Sequence, residues 1–389
     1  MNQPNQFPDV RVTRKGADRY RAGHPWIFRS DVSEAVEIPP GATVRVIDNR
    51  DRAIGLAHYS SSSQIALRML GGVANGIDLP ARIATAAQFR KSVVTVTTAF
   101  RLVHAEADFL PGLIVDRYDN AFVVQALDQG MDRALPEIVA ALKQQFYPQA
   151  IVARHDSAVR TLEELPRDIK VISGDMDKPV VIHMNGFKLE ADLIHGQKTG
   201  VFLDQRENYR AAARYATGTA LDCFTCTGGF ALHLAHSCER VEAVDSSATA
   251  LNTARRNAAA NDITNVEFKE ADVFEILAGY SSAWRKFDMV VLDPPAFAKS
   301  RKQVEAAARA YKEINLRALR LLNPGGILVT CSCSQLVSEA ILLEILAEAS
   351  LDTGKTLRIR ERRTQAQDHP ILLTVPETHY LKCLIAQVC

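Results

Sequence analysis

Two thiols stand two positions apart where an apolar run ends, Cys331 and Cys333 in "GGILVTCSCSQLVSE" (325–339). A strand end gains little from a thiol unless its sulfur serves as nucleophile, metal ligand or redox partner. Residues i and i+2 of a strand share a face, so spacing alone does not choose between the two. A second group lies upstream, in "DMVVLDPPAFAKS" (288–300), where Asp293 precedes two prolines. Proline fixes its own φ and restricts the residue before it, so this carboxylate is held in one orientation. Such a loop suits a planar base, with the carboxylate and nearby carbonyls meeting its polar edge.

A third group reads as a nucleotide site. In "LDCFTCTGGFALHLA" (221–235), Gly228 and Gly229 let the backbone approach a ligand and open a helix whose N-terminus favours an anion or polar group. "RVEAVDSS" ends a strand in Asp245, placed to hydrogen-bond a ribose diol, and "EADVF" puts Asp272 beside an adenine amine. Any one of these acids could instead cap a helix. Acids at successive strand ends, Asp222, Asp245 and Asp272, weigh for a ligand over capping alone. Cys223 and Cys226 form C-x-x-C and, with Cys331 and Cys333, allow a four-thiolate zinc site on arithmetic. The first pair straddles the ligand loop, which tetrahedral closure would block, so no metal is expected. Cys238, Cys383 and Cys389 read as inert.

These groups require a scaffold that gathers strand ends. From about residue 190 the chain alternates strand and helix, with strands "TALDCF", "RVEAVD", "VEFKEA", "FDMVVLD" and "GILVTCS". Near-continuous apolar strands between helices imply a parallel, doubly wound sheet, whose ligand lies at the carboxyl ends of the strands. "LRIRER" and "YLKCLIAQV" predict an antiparallel edge. Upstream, "ATVRVID", "AIGLAHY" and "QIALRML" alternate with period two and predict a small β-barrel or sandwich, followed by a linker at "GGVANG" (71–76). A mixed region follows, with helices at "ARIATAAQFRKSVVTV" and "RALPEIVAALKQQF" and a hairpin about Asn185-Gly186.

The chain of 389 residues is too long for one core, and 47% apolar with 23% charged residues is ordinary for a globular protein. The polar start and the lack of a long apolar span predict a cytoplasmic protein with no membrane partner. Net charge is +1, so nucleic-acid binding would rest on local patches. One is "VRVTRKGADRYRAGHPWIFRS" (10–30), with Arg14, Lys15 and Arg21 beside His24 and Trp26; "TLRIRERR" (356–363) is another.

Together these blocks resemble class I S-adenosylmethionine-dependent methyltransferases. With "GHPWIF", "LPGLIVDRY", "NGFKLEADLIHGQKTGVFLDQRENY", "CSCSQLV" and "HPILLTVPETHYLKCL", nearly the whole chain is similar to the PUA-domain-containing cytosine-5 methyltransferases of large-subunit ribosomal RNA. The resemblance implies an α/β protein: a PUA RNA-binding β-barrel over 1–72, a small central α+β domain over 73–190 and a Rossmann-like catalytic domain over 191–389. It implies S-adenosylmethionine as cofactor, held by Phe202, Asp204, Gln205, Arg206, Asp222, Phe224, Thr227, Gly228, Asp245, Ser246, Asp272, Val273 and Asp293. It aligns the nucleophile with Cys333, with Asp293 as partner on the cytosine edge. Arg14, Lys15, Arg21, His24, Trp26, Phe297 and Lys299 would meet ribosomal RNA. A homodimer is compatible with it, although no motif encodes the oligomeric state.

The chemistry then follows. Carbon 5 of cytosine is too weak a nucleophile unaided, whereas a thiolate added at carbon 6 turns the ring into an enamine whose carbon 5 is reactive. Three rivals remain: methylation of a base nitrogen, which needs no thiol and would stack Phe297 on the base; a non-catalytic RNA-binding assembly factor that keeps the fold; and a DNA methyltransferase, against which a PUA-like domain weighs by analogy.

Overall fold

The computed structural model describes residues 7–33, 37–73, 76–196, 199–298 and 300–389. The chain forms two compact units, one comprising the chain to Ile182, Ala191–Gly200 and Gln367–Thr378, the other His183–Glu190, Val201–Ala366 and His379–Cys389. Among the described residues no helix is long and apolar enough to cross a membrane.

The first unit holds two sheets. One is built from β1 (Asp9–Arg11), β2 (Trp26–Phe28), β3 (Thr43–Ile47), β4 (Ala53–Tyr59) and β5 (Ile65–Gly71) in the order β1-β3-β4-β5-β2. Its alternating residues bury Val44, Val46, Ala57, Leu67 and Met69 together with Val10, Val12 and Ile27. Helix α1 (Arg14–Arg21) is capped by Thr13, whose hydroxyl accepts from Gly16 N at 3.2 Å. The second sheet runs β10-β9-β8-β7-β6, from β6 (Ala99–His104), β7 (Leu113–Tyr118), β8 (Ala121–Ala126), β9 (Ala150–Arg154) and β10 (Ile169–Ser173). Helices α2 (Leu79–Val93) and α4 (Leu135–Phe146) contribute to its core, with the short α3 (Gln129–Arg133) and α5 (Val159–Leu162) nearby in sequence. Within this unit Thr199 donates to the buried Asp116 at 2.6 Å, and Asp116 also pairs with Arg101 at 2.8 Å. The chain passes to the second unit in a hairpin, β11 (Val180–Met184) and β12 (Phe187–Ala191). Asn185 and Gly186 there both take positive φ, 55° and 93°, as a two-residue hairpin turn demands.

The second unit carries a seven-stranded sheet in the order β15-β14-β13-β16-β17-β19-β18. Its strands are β13 (Thr219–Cys223), β14 (Arg240–Asp245), β15 (Val266–Glu270), β16 (Phe287–Leu292), β17 (Leu322–Ser332), β18 (Leu357–Arg363) and β19 (Lys382–Val388). β15 through β17 pair in parallel, and β19 enters antiparallel between β17 and β18. Helices α6 (Arg206–Ala213), α7 (Gly229–Ala235), α8 (Ala248–Ala259), α9 (Val273–Ser282), α10 (Val304–Leu321) and α11 (Glu339–Thr353) fill the connections. Leu221, Val244, Val290, Leu292 and Leu328 from the strands meet Leu277, Ile314, Ala318, Leu342 and Leu346 from the helices in one core. Strand order reverses at β13, which has β14 on one side and β16 on the other. This is the switch point at which such sheets open a crevice for a ligand.

Candidate active site

The loop after β13 has an unusual backbone. Phe224, Cys226 and Gly228 all take positive φ, 62°, 50° and 89°. Left-handed geometry at two non-glycine residues is costly and persists where the surroundings impose it. Two acids do so. Asp245 Oδ2 accepts from Cys226 N and its Oδ1 from Ser247 N, both at 2.9 Å. Asp222 Oδ2 accepts from Thr225 Oγ1 at 2.6 Å and from Ala231 N, in the first turn of α7, at 2.9 Å. Gly229 is needed beside it, since a Cβ there would lie 2.4 Å from Tyr209 Cζ.

Asp222 is fully buried, and its Oδ1 has no hydrogen-bond partner among the described residues. Burial raises its carboxyl to about 7, and the neighbouring Asp293 and Asp245 carboxylates push the same way. An orphaned buried carboxylate oxygen calls for a cation, and the ammonium of a methionine-like group is one. Asp245, half-buried at the next strand end, keeps lone pairs for a diol. The residues present therefore fit S-adenosylmethionine. Asp272 caps α9, its Oδ1 accepting from Glu275 N at 3.1 Å, and the side chain is exposed. Val273 turns into the core, Phe224 packs against it, and Ser246 is exposed. Thr227 is half-buried and its carbonyl accepts from Asn257 Nδ2 at 3.1 Å.

The segment before α6 delivers the next group. Gln205 Nε2 donates to Asp293 Oδ1 at 2.9 Å, Asn208 Nδ2 to Gln205 Oε1 at 2.6 Å and Arg363 Nε to Asn208 Oδ1 at 2.9 Å. A relay from α6 and β18 thus sets the Asp293 carboxylate. Buried Asp204 accepts from Tyr380 OH at 2.8 Å, Phe202 precedes it half-buried, and the Arg206 carbonyl accepts from Asn185 Nδ2 at 2.8 Å. Asn208, Arg363 and Tyr380 carry no sequence signal of this role, because their partners are distant in the chain.

The two thiols of the opening motif separate. Cys331 lies within β17, fully buried, opposite Cys383 of β19, and burial pushes its thiol well above the ordinary range. Cys333 stands just beyond the strand, half-buried, with Sγ 3.9 Å from the Pro294 carbonyl of the Asp293 loop. Tyr311 of α10 braces it from both flanks, its hydroxyl lying 3.0 Å from Ser332 Oγ and 3.2 Å from Ser334 Oγ. Phe297 packs its ring against Tyr311 at 4.8 Å, beside the core. Lys299 lies outside the described residues.

In the first unit Arg14 and Lys15 project from α1 with side chains 84% and 74% exposed. Arg21 is held by Asp48 at 2.7 Å and Asp18 at 3.0 Å. His24 lies 3.3 Å from Glu377, and Trp26 Nε1 donates to Glu106 at 2.9 Å. Among the described residues no three His, Cys, Asp or Glu side chains gather to hold a metal ion.

A doubly wound sheet with its switch point at β13, an orphaned buried acid near the end of that strand and a second acid ending β14 are the arrangement of a class I S-adenosylmethionine-dependent methyltransferase. Residues 129–382 match the family model described as S-adenosylmethionine-dependent methyltransferase, and residues 10–71 match that of a PUA-like domain. The chain is 41% identical over 377 residues to the "Ribosomal RNA large subunit methyltransferase I" of Pseudoalteromonas translucida, spanning 94% of this chain and 95% of that one. It is 40% identical over 383 residues to the protein so named in Photobacterium profundum, spanning 95% and 96%. The chain belongs to this family of S-adenosylmethionine-dependent methyltransferases with an N-terminal PUA-like domain. A putative methyltransferase from Streptococcus mutans superposes with a TM-score of 0.81 at 18% identity, over 98% of this chain and all of that one. A second putative methyltransferase, complexed with SAH, gives 0.83 at 18% identity over the same shares. At such identity they speak for the fold alone.

Proposed function

We propose that the protein methylates carbon 5 of a cytosine in large-subunit ribosomal RNA, with Cys333 as covalent nucleophile. The observation that carries this reading is the half-buried Cys333 thiol lying against the Pro294 carbonyl of the Asp-Pro-Pro loop. The relatives' names supply the RNA class. The target base leaves its stack to enter such a site, at a cost of a few kcal/mol. The Cys333 thiolate forms the sulfur–carbon 6 bond, and the ring's double-bond electrons shift to make carbon 5 nucleophilic. Asp293, oriented by Gln205, meets the polar edge of the ring and favours that shift. When bound, S-adenosylmethionine supplies the electrophilic methyl group, and Asp222 and Asp245 are the residues that would hold it. Loss of the carbon 5 proton to a base then expels the thiolate and restores the aromatic ring.

Ribosomal RNA fragments carrying 5-fluorocytosine decide the acceptor atom, because fluorine at carbon 5 cannot leave as a proton does. With the methyl donor present, a covalent RNA–protein complex stable to detergent is expected, and it should vanish in Cys333→Ala. A fragment that is methylated in its natural form yet never trapped in its fluorinated form would make a base nitrogen the acceptor.

RNA affinity provides a separate check. Arg14→Ala with Lys15→Ala removes two exposed cations, so the slope of log K against log salt should flatten by about one to two. Arg21→Ala should change it less, since buried Asp48 holds that side chain at 2.7 Å, whereas Arg14 and Lys15 reach Asp18 and Asp31 only at 3.4 and 3.9 Å. Equilibrium binding across a salt series reads both, and an unchanged slope in the double variant removes α1 from the RNA surface.

A further inference from the structure

Lys382 opens β19, where Gln387 is the one other polar residue, and it is only 4% exposed. Lysines are almost never buried to this degree unless paired. Its Nζ donates to the Ser334 carbonyl at 2.6 Å and to the Tyr380 carbonyl at 2.9 Å. Both acceptors are neutral, and no carboxylate lies within ion-pair distance among the described residues. Removing an ammonium from water for two carbonyls leaves a cost that a nearby anion would offset. The β17–β19 register sets Lys382 opposite Ser332, and its bond to Ser334 places it on the far side of the intervening residue. That residue is Cys333.

We propose that Lys382 is a positioning residue for the reaction, its buried ammonium holding Cys333 as the thiolate. This rests on the cysteine mechanism above and adds the charge that makes the sulfur reactive. The thiol proton passes to solvent, and the sulfur's negative charge remains beside the ammonium. Burial draws the Lys382 ammonium down to about 8, and the charge of Cys333 acts in the opposite direction. At neutral pH the lysine is therefore still mostly protonated. Among the described residues, Tyr311 from α10 and the Asp293 loop after β16, whose Pro294 carbonyl lies 3.9 Å from the sulfur, face the thiol, and neither supplies a positive charge. Burial and the Cys333 charge both raise the Tyr311 hydroxyl, which stays neutral.

The test is the pH dependence of Cys333 alkylation by iodoacetamide in the full-length protein, followed by peptide mass spectrometry. Lys382→Gln keeps a donor for the two carbonyls but removes the charge. It should move the midpoint of Cys333 alkylation up by about one unit and slow the reaction at neutral pH about tenfold. Lys382→Arg should restore most of the wild-type profile. Turnover should fall in kcat, with KM for the methyl donor unchanged and partial recovery at higher pH. Lys382→Met serves as a second charge-removing variant should the glutamine form fail to fold, with SAH binding and Tm as folding checks. Superposable alkylation profiles for wild type and a folded, uncharged variant would overturn the proposal. If wild-type protein fails to trap fluorinated RNA while the lysine variants still shift the thiol, the cysteine mechanism fails and the Lys382–Cys333 pairing stands.

Discussion

Cys333→Ala is expected to lower methyl transfer by ~10³-fold or more while leaving S-adenosylmethionine binding intact. Removing a covalent nucleophile removes the only route that makes carbon 5 reactive, and such losses are the largest seen for single side chains. Cofactor binding should survive because the acids that would hold it, Asp222 and Asp245, stand at the ends of β13 and β14, other strands than the one Cys333 follows. Cys331→Ala is the matched control. Its thiol is packed in the sheet against Cys383, so the expected loss is about 1–2 kcal/mol of stability from the cavity, with turnover retained. Methyl incorporation and isothermal calorimetry on both variants separate the two roles. Normal turnover in Cys333→Ala would refute the assignment of the nucleophile.

The second large effect concerns Asp222. Its folded-state carboxyl titrates near 7 against an ordinary value of 3.8, so the ligand-free folded protein binds more protons than the unfolded chain between those values. By linkage, stability falls as pH rises through that window: its contribution is present at the acidic end and lost as the buried carboxylate ionises. This is the reverse of the usual salt-bridged acid. Asp222→Asn should flatten that part of the urea-midpoint profile of the free protein. The same change should weaken S-adenosylmethionine about 10- to 100-fold, since a charge-assisted partner of the ammonium is gone. Saturating cofactor should restore wild-type stability at neutral pH but do so poorly for the variant. A variant that binds cofactor as wild type does would show that the orphaned oxygen faces something else.

The sheet of the second unit is legible in the sequence because its central strands β13, β16 and β17 are largely buried and read as near-continuous apolar runs, whereas the parallel edge strand β15 (VEFKE) has no buried residue. β1 and β2 are not, since three residues each cannot display a period. The Asp293 loop is legible because prolines act locally. The choice between Cys331 and Cys333 needs the point where β17 ends and the strand that pairs with it, neither of which is a local property. Asp272 reads as ligand or cap, and the cap is legible because it is local, Glu275 N donating to its Oδ1 three residues on. His24 and Trp26 look like a basic-aromatic RNA patch, yet their polar atoms reach Glu377 and Glu106, 353 and 80 residues away. Lys382 was invisible for the same reason: its carbonyl partner at Ser334 is 48 residues distant.

The chain of side chains Arg363, Asn208, Gln205 and Asp293 has an evolutionary corollary. Each amide both donates and accepts within it, so exchanging one member reverses or deletes a bond that its neighbour depends on. Tolerated change at these positions should be epistatic, arriving as compensated pairs whose double-variant cycles depart from additivity. Drift in an outer strand of the sheet is thereby coupled to the orientation of the Asp293 carboxylate.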